Sequence, residues 1–214
     1  MGDELLGGYP KYQKMFYDRT NWPVDWRGLL SLWIKRIKRP KNLVKDALPD
    51  STLIDALEDC YSNELWNAED PVASYMALDC VTQAPAEFFS RNDTYGMAHS
   101  MEGRFPLASK IFMQYCMAIP TKFKLDKSET KIISRSAYLN ILPNQITSKS
   151  KTGWTVPVGY WLTNKMDSKL INFYTKSMGN KKLETIKTSQ NSAKMLIPDF
   201  ILKDWKTTYK VKDA

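Results

Sequence analysis

Apolar residues recur at intervals of three and four along most of this 214-residue chain. This spacing places them on one face of an α-helix. No segment sustains the two-residue alternation of a half-buried strand, and the Asn-Gly and Asp-Gly pairs of hairpin turns are absent. The pattern therefore predicts a mainly α-helical chain in which loops carry the chemistry.

Capping residues and prolines set the predicted limits of the helices. Asn21 or Asp25 and Ser51 or Thr52 are candidate caps, and a third helix is expected to begin at Asp70. Pro85 is expected to break that helix, with a brief resumption over 86–91. Residues 1–12 are predicted to form a loop because three glycines and a proline interrupt them. The predicted helices are 21–39, 51–66, the one from Asp70, 107–119, 130–142, 156–177 and 195–209, with a polar connection over 178–193.

Charge and cysteine usage limit the classes of function. The formal net charge of +8 favours anionic partners such as nucleic acid, an acidic membrane or a phosphate ligand, although a lysine-rich solvated surface explains it equally well. No apolar stretch approaches the roughly 20 residues that span a bilayer. The three cysteines are widely spaced without a CxxC pair. They indicate free thiols in a reducing cytoplasm rather than a zinc site.

Three short stretches contain candidate site residues. Adjacent carboxylates at Asp3 and Glu4, flanked by glycines, suit Mg²⁺ that carries a phosphate, or they form an ordinary surface pair. Glu102 and Arg104 are two residues apart, which fits either a salt bridge that holds a loop or a pair that positions a bound nucleotide or substrate. Lys151 lies in a basic loop over 148–153 and could stabilise developing negative charge, or simply face solvent.

Two residues near Glu102 have candidate roles. Asp93 could cap a turn at the start of residues 92–106. His99 is the only histidine and could act as a general base, but a structural role is the simpler interpretation.

Three ordered motifs resemble the synthetase domain of glutamine-dependent asparagine synthetases, which belong to the ATP pyrophosphatase class. Gly-Asp-Glu-Leu-Leu-Gly-Gly-Tyr, from Gly2, is similar to the family's pyrophosphate motif. Met-Ala-His-Ser-Met-Glu-Gly-Arg-Phe-Pro, from Met97, is similar to a second motif, but its closing Phe-Leu-Asp is replaced by Leu-Ala-Ser. Lys-Thr-Gly-Trp-Thr-Val-Pro, from Lys151, is similar to the third, with Trp154 in place of Phe. The resemblance covers most of residues 2–162.

The resemblance implies a role for each matched residue. It makes Asp3 a ligand of Mg²⁺–pyrophosphate with Glu4 beside it, and Lys151 the catalytic lysine that stabilises charge on the adenylate and on the intermediate formed with ammonia. We further assign Glu102 and Arg104 to the catalytic residues and Asp93 to the cofactor-binding residues. The implied cofactors are ATP and Mg²⁺, and the implied reaction is amidation of aspartate through an aspartyl-adenylate.

The same resemblance sets expectations for the fold. We expect the helical C-terminal part of the family's α/β domain without most of its parallel sheet. Its parts are a pyrophosphate loop remnant over 1–12, helices over 13–91, the core site motifs over 92–162 and C-terminal helices over 163–214. The family's Ser-Gly-Gly-x-Asp-Ser ATP loop does not occur in the sequence. We therefore expect a truncated domain that is inactive without its missing part.

The expected partners follow from this interpretation. Activity would require a complementing polypeptide that carries the glutaminase domain and the ATP loop. Helices that normally cover a sheet would expose apolar faces, which favours a partner or a homo-oligomer. Two alternatives stay open: a non-catalytic basic helical module that binds protein or nucleic acid, and a relative that amidates a carboxylate of a polysaccharide pathway.

Overall fold

The chain folds into short helices in a computed structural model, which describes residues 1–18, 22–36, 49–152, 172 and 208–210. Contacts divide the chain into two units, one of Met1–Ile37 with Leu48–Thr152 and one of Lys38–Ala47 with Gly153–Ala214. Nearly all described residues belong to the first unit. Its α-helices are α1 (Gly2–Leu5), α2 (Pro10–Tyr17), α3 (Trp26–Arg36), α4 (Asp50–Cys60), α5 (Pro71–Val81), α6 (Ser90–Met97), α7 (Lys110–Ala118), α8 (Ile132–Tyr138) and α9 (Asn144–Thr147).

Other regular structure in the described ranges is short. The segments Asn63–Leu65, Pro106–Ala108 and Thr121–Phe123 are 3₁₀ turns, and Ala84–Phe89 is a π-helical segment. The β pairing within the described residues is a single antiparallel bridge between Leu125 and Thr130. The prediction of a mainly helical chain is therefore confirmed. Among the helices that the structure describes, none is long and apolar enough to cross a membrane.

Local signals predicted two helix starts correctly. Pro71 is the first residue of α5, and the Asp70 side chain accepts a hydrogen bond from the Ala73 amide at 3.0 Å. Asp25 likewise accepts from the Gly28 amide at 2.7 Å, ahead of α3. A carboxylate in this position satisfies an amide that has no partner within the helix.

The prediction of a loop over 1–12 is wrong. Gly2–Leu5 forms the turn α1, and Pro10 begins α2 at the first helical position. Burial explains the turn, because Leu5 and Leu6 pack into one cluster with Cys80 and Cys116. Proline is tolerated at a helix start, where the missing amide hydrogen would have no intrahelical partner.

Two further helix predictions are wrong in detail. Residue Pro49 rather than Ser51 or Thr52 precedes α4, and no side chain caps it. Pro85 does not end the helical path, since it lies at the start of the π-helical segment that leads into α6. A missing amide donor costs little at the start of such a segment.

The helices predicted over 107–119 and 130–142 are shorter than expected. Part of the apolar face of the first one is exposed. The observed elements are α7 and α8. On α7 Cys116 is buried, whereas Ile111 is 82% exposed and Tyr115 is also open to solvent. Ile141 lies beyond the end of α8 and is exposed as well. Periodicity identified the apolar residues but not which of them the fold would cover.

Several predictions lie outside the described residues. They concern Asn21, the end of the first helix near Arg39 and Pro40, Gly153 and Trp154, and most of the two C-terminal helices with the connection between them.

The main core lies between α2, α3 and α5. Its centre is built from two buried tyrosines and aliphatic side chains of the three helices. The fully enclosed members are Tyr12, Met15, Trp26, Leu29, Leu30, Val72, Tyr75, Met76, Leu78 and Leu125.

A buried carboxylate joins the same three helices. Asp79 of α5 accepts hydrogen bonds from the Tyr12 hydroxyl at 2.5 Å and from the Trp33 indole at 2.7 Å. It also pairs with the Lys11 ammonium at 2.5 Å. Because a buried charge is tolerated only when it is paired and hydrogen-bonded, this cluster fixes how α2 and α3 pack on α5.

Candidate functional site

Two lysines and one carboxylate meet beside α1. Lys131 Nζ lies 2.5 Å from Asp3 Oδ1, and Lys151 Nζ contacts Asp3 Oδ2. The carboxylate side chain is 25% exposed. The fold therefore brings Lys151 next to Asp3 across 148 residues of sequence. We refer to Asp3, Lys131 and Lys151 as the lysine–aspartate cluster.

The backbone before α8 positions Lys131. This residue has a left-handed conformation, with φ of 58°, and precedes the first residue of α8. Before it, the Asp126 carboxylate accepts from the amides of Ser128 and Glu129 at 2.8 and 2.7 Å, which closes a tight turn. The Ile132 amide donates to the Lys124 carbonyl at 2.9 Å. These bonds fix where α8 begins and hence where the Lys131 side chain starts.

Gly8 gives the cluster its space. A Cβ at Gly8 would lie 2.0 Å from Asp3 Oδ1 and 2.4 Å from Lys131 Cε. The Gly8 amide donates to the Asp3 carbonyl at 2.8 Å, so the glycine backbone lies directly against α1. The preceding Gly7 has φ of +71°, a conformation that side-chain-bearing residues rarely adopt. The glycine pair is thus required both for the turn and for the close approach.

Tyr9 lies under Lys151 and links it to Glu4. The Lys151 ammonium lies 3.8 Å from the centre of the Tyr9 ring, within the range of a cation–π contact. The Tyr9 hydroxyl donates to Glu4 Oε1 at 2.6 Å. Burial, with the neighbouring Glu4 carboxylate, raises the pKa of Tyr9 above its ordinary value, so the phenol stays protonated and acts as a donor.

Glu4 is more enclosed than Asp3. It is 1% exposed, and its second oxygen lies 2.9 Å from the Met1 amine. Asp3 is the more accessible of the adjacent carboxylates, so it is the better placed to meet a ligand. The role of Glu4 as a cofactor-binding residue stays a prediction.

The electrostatics of the cluster favour an anion. Burial alone would raise the pKa of Asp3, but hydrogen bonds from Lys131 and Lys151 and their charges together hold the pKa below its ordinary value. Two ammonium groups facing one ionised carboxylate leave a net positive charge at a partly exposed position. Such a group of charges attracts phosphate or another anion.

The second predicted group, near α6, lies at the surface. Arg104 Nε pairs with Glu102 Oε1 at 2.9 Å, and both side chains are mostly exposed. This contact fits the first interpretation of the pair, a salt bridge that holds a loop. Asp93 is exposed within the first turn of α6 and does not precede the helix as a cap. His99 Nδ1 lies 3.1 Å from the Tyr95 carbonyl, which fits a structural role.

A phosphate-bound Mg²⁺ would contact the cluster at Asp3. Within the part of the chain that the structure describes, no three His, Cys, Asp or Glu residues come together to hold a metal. Mg²⁺ is commonly bound through one or two carboxylates together with substrate phosphates and water. Asp3 is the partly exposed carboxylate of the cluster, with its Oδ1 buried beside Lys131, and it is the residue that could contact such an ion.

A cavity of about 170 Å³ is lined by Glu4 and Leu5 of α1, by residues of α5 that include Cys80, and by Lys124. Lys124 lines it and is 2% exposed, and burial lowers the pKa of this lysine despite the opposing charge of Asp70. Burial also raises the pKa of the Cys80 thiol, on the same cavity, to about 12. The thiol is therefore a poor nucleophile near neutral pH.

Sequence reasoning missed three contributors to the site. The sequence motifs do not single out Lys131, Tyr9 or Gly8. One signal was present, because the Gly-Gly-Tyr sequence directly follows the carboxylate pair. The placement of Lys131 depends on the left-handed turn before α8, for which the sequence offers no glycine.

The described residues form a mainly helical unit in which two lysines and a carboxylate meet at a partly exposed position. A family model for asparagine synthase matches residues 1–193, so the chain belongs to the asparagine synthase family.

Curated relatives agree with this assignment. Asparagine synthetase [glutamine-hydrolyzing] 1 of Bacillus subtilis is 25% identical over 137 residues, which cover 64% of this chain and 21% of the relative. Putative asparagine synthetases [glutamine-hydrolyzing] of Mycobacterium bovis and Mycobacterium tuberculosis are 29% identical over 115 residues, which cover 53% of this chain and 17% of each relative. The chain thus spans about a fifth of the length of these relatives. No solved structure matches the chain significantly.

Proposed function

We propose that this chain provides the pyrophosphate-binding, lysine-bearing side of a site that forms an amide from a carboxylate, ATP and ammonia. The proposed acceptor is aspartate, which would react through an aspartyl-adenylate. The observation that carries the proposal is the convergence of Lys131 and Lys151 on Asp3. Membership of the asparagine synthase family supports it.

The chemistry creates negative charge twice. Attack of the acceptor carboxylate on the α-phosphorus of ATP breaks the bond to pyrophosphate, which leaves as an anion. Attack of ammonia on the adenylate then places charge on the former carbonyl oxygen before AMP leaves. Ammonium groups already fixed where such charge develops stabilise it with little reorganisation.

The roles of the cluster follow from its geometry. Lys131 and Lys151 would bind the leaving pyrophosphate, and Lys151 would also stabilise charge on the adenylate and on the ammonia adduct. Asp3 would hold Mg²⁺ together with the phosphates. The ion would supply charge neutralisation on the pyrophosphate oxygens. The Tyr9 ring would help to hold the Lys151 ammonium in place through a cation–π contact.

The remaining candidates stay predictions. Glu102 and Arg104 would act in catalysis only if their exposed loop contacts the nucleotide or acceptor, and Asp93 would bind cofactor under the same condition. Glu4 would assist through its hydrogen bond with Tyr9.

Turnover would require elements that this sequence does not contain. The Ser-Gly-Gly-x-Asp-Ser loop is absent from it. We propose that a polypeptide carrying that loop and a glutaminase domain completes the site. A related carboxylate, such as a sugar acid, is an alternative acceptor for the same chemistry.

Calorimetric titration with Mg²⁺–pyrophosphate tests the proposal on the chain itself. We expect Lys151→Met and Lys131→Met each to weaken binding by about tenfold or more, the loss expected for one charge-assisted contact. Lys122→Met is the matched control, because Lys122 is an exposed lysine whose ammonium lies over the Phe123 ring, 5.2 Å from its centre, and not against Asp3. The proposed site would be refuted if all three substitutions weakened pyrophosphate binding equally, or if none of them weakened it.

A complementation assay tests the reaction. The chain would be mixed with a polypeptide that contains the ATP loop of a family member, and AMP and pyrophosphate formation would be followed with aspartate and ammonia. Lys151→Ala should abolish most of this turnover. Full turnover in that variant would remove Lys151 from the mechanism.

A further inference from the structure

A single arginine, Arg135, joins three separate backbone positions in the segments around Lys131 and Lys151. Arg135 Nε donates to the Thr130 carbonyl at 2.8 Å, and its two terminal nitrogens donate to the carbonyls of Thr147 and Lys149. The contact with Lys149 is 2.9 Å. The side chain is 18% exposed, and its bonds to the Thr130 and Thr147 carbonyls are partly buried. Arg135 Nε also lies 3.5 Å from Glu129 Oε1, within ion-pairing distance.

The three carbonyls belong to the segments that carry the two lysines. Thr130 directly precedes Lys131. Thr147 is the last residue of α9, and Lys149 lies two residues before Lys151. Two residues of chain span at most roughly 7 Å, so fixing the Lys149 carbonyl restricts where the Lys151 backbone can lie.

The loop around Lys151 has few other anchors. Ser148 is bonded through its amide and hydroxyl to the Asn144 carbonyl, which completes α9. Among the described residues after Ser148, the hydrogen bond that Arg135 donates to the Lys149 carbonyl is the backbone contact nearest to Lys151 in the sequence. The next contacts along the chain are those of the Lys151 side chain itself, with Asp3 and Tyr9.

An arginine suits this task because its guanidinium is planar and directs several donors in fixed directions. A lysine at the same position would keep the charge but could not meet three carbonyls in a fixed geometry. The bonds therefore use the shape of the guanidinium as well as its charge.

We propose that Arg135 is a positioning residue, which fixes the loop over 147–149 on α8 and so holds Lys151 at the distance from Lys131 that the site requires. It contacts no part of the cluster through its own side chain and acts through the backbone. The functional part of this inference rests on the proposed role of Lys151.

Hydrogen exchange tests the positioning directly and needs no ligand. We expect Arg135→Lys and Arg135→Met to speed exchange of the Thr147 and Ser148 amides, which donate to the Pro143 and Asn144 carbonyls, by about tenfold, while α5 amides keep their protection. Arg91→Lys is the control, since Arg91 is also ion-paired but contacts Glu87 on the surface. Unchanged exchange at Thr147 and Ser148 would overturn the inference, and so would an equal increase in α5, which would show a merely structural role.

A double-mutant cycle tests whether Arg135 acts through Lys151. With Mg²⁺–pyrophosphate as the probe, Arg135→Lys should weaken binding severalfold in the natural background and leave it unchanged in the Lys151→Met background. Equal weakening in both backgrounds would overturn positioning through Lys151. If the natural chain binds no pyrophosphate, the proposed function fails, while hydrogen exchange still decides the role of Arg135.

Discussion

Replacing Gly8 by alanine tests the packing of the lysine–aspartate cluster. The added Cβ would lie 2.0 Å from Asp3 Oδ1, whereas ordinary contacts begin at 3.4 Å, so the overlap is about 1.4 Å. The same methyl would also meet Lys131 Cε at 2.4 Å. Both neighbours are side-chain atoms, so either the Asp3 carboxylate and the Lys131 side chain must move apart, or the turn at Gly8 must shift.

The expected cost follows from this overlap. Overpacking of a close contact typically destabilises by about 1–3 kcal/mol. For a chain of this size the melting temperature should fall by roughly 2–4 °C for each of those kcal/mol. Displacing Asp3 from the two lysines should also raise the pKa of Asp3 towards its ordinary value, since their hydrogen bonds and charges lower it.

Urea denaturation and an NMR titration of the Asp3 carboxyl carbon measure the two effects. Gly2→Ala is the matched control, because a Cβ at Gly2 meets Leu107 Cδ1 at 3.5 Å, an ordinary contact. In α1 that change should be neutral or slightly stabilising, since alanine favours a helix over glycine. A Gly8→Ala variant with natural stability and an unchanged Asp3 pKa would refute the described packing.

Three further changes test the interior and the charges. Asp79→Asn should lower the free energy of unfolding by about 3–5 kcal/mol in urea denaturation, because it breaks the buried ion pair between Lys11 and the Asp79 carboxylate, which also accepts a hydrogen bond from Tyr12. A loss under about 1 kcal/mol would contradict the structure. Lys124→Met should stabilise by about 1–3 kcal/mol near neutral pH, because burial lowers the pKa of Lys124 and disfavours its charged form; an unchanged melting temperature would contradict this. Asp3 has a lowered pKa in the folded state, so its contribution is complete above the unfolded pKa of about 3.9 and is lost as the pH falls through the folded value. Urea midpoints between pH 2 and 6 should therefore show less acid dependence in Asp3→Asn, and parallel profiles would argue against the lysine contacts.

Local signals were sufficient where a helix is set by its own first residues. The Asp70 carboxylate and Pro71 predicted the start of α5 because capping and a fixed φ act within one turn. The same carboxylate also accepts from the amide and hydroxyl of Thr121, 51 residues away, and nothing in the local sequence indicates that second role.

Packing decided the elements that local signals predicted wrongly. Gly2–Leu5 is helical because Leu5 and Leu6 are buried against Cys80 and Cys116, which outweighs the low helix preference of the flanking glycines. The exposed side of α7, with Ile111, shows the converse, since apolar periodicity marks a face without showing what covers it.

The motifs alone identified Asp3 and Lys151 as candidates, because chemistry requires those residue types in short, ordered patterns. Only the tertiary structure placed the two side chains in contact, added Lys131 through a left-handed turn, and left Glu102 with Arg104 at the surface. The physical reason is distance along the chain. Caps and helical spacing act over a few residues, whereas an ion pair across 148 residues depends on how every intervening helix packs.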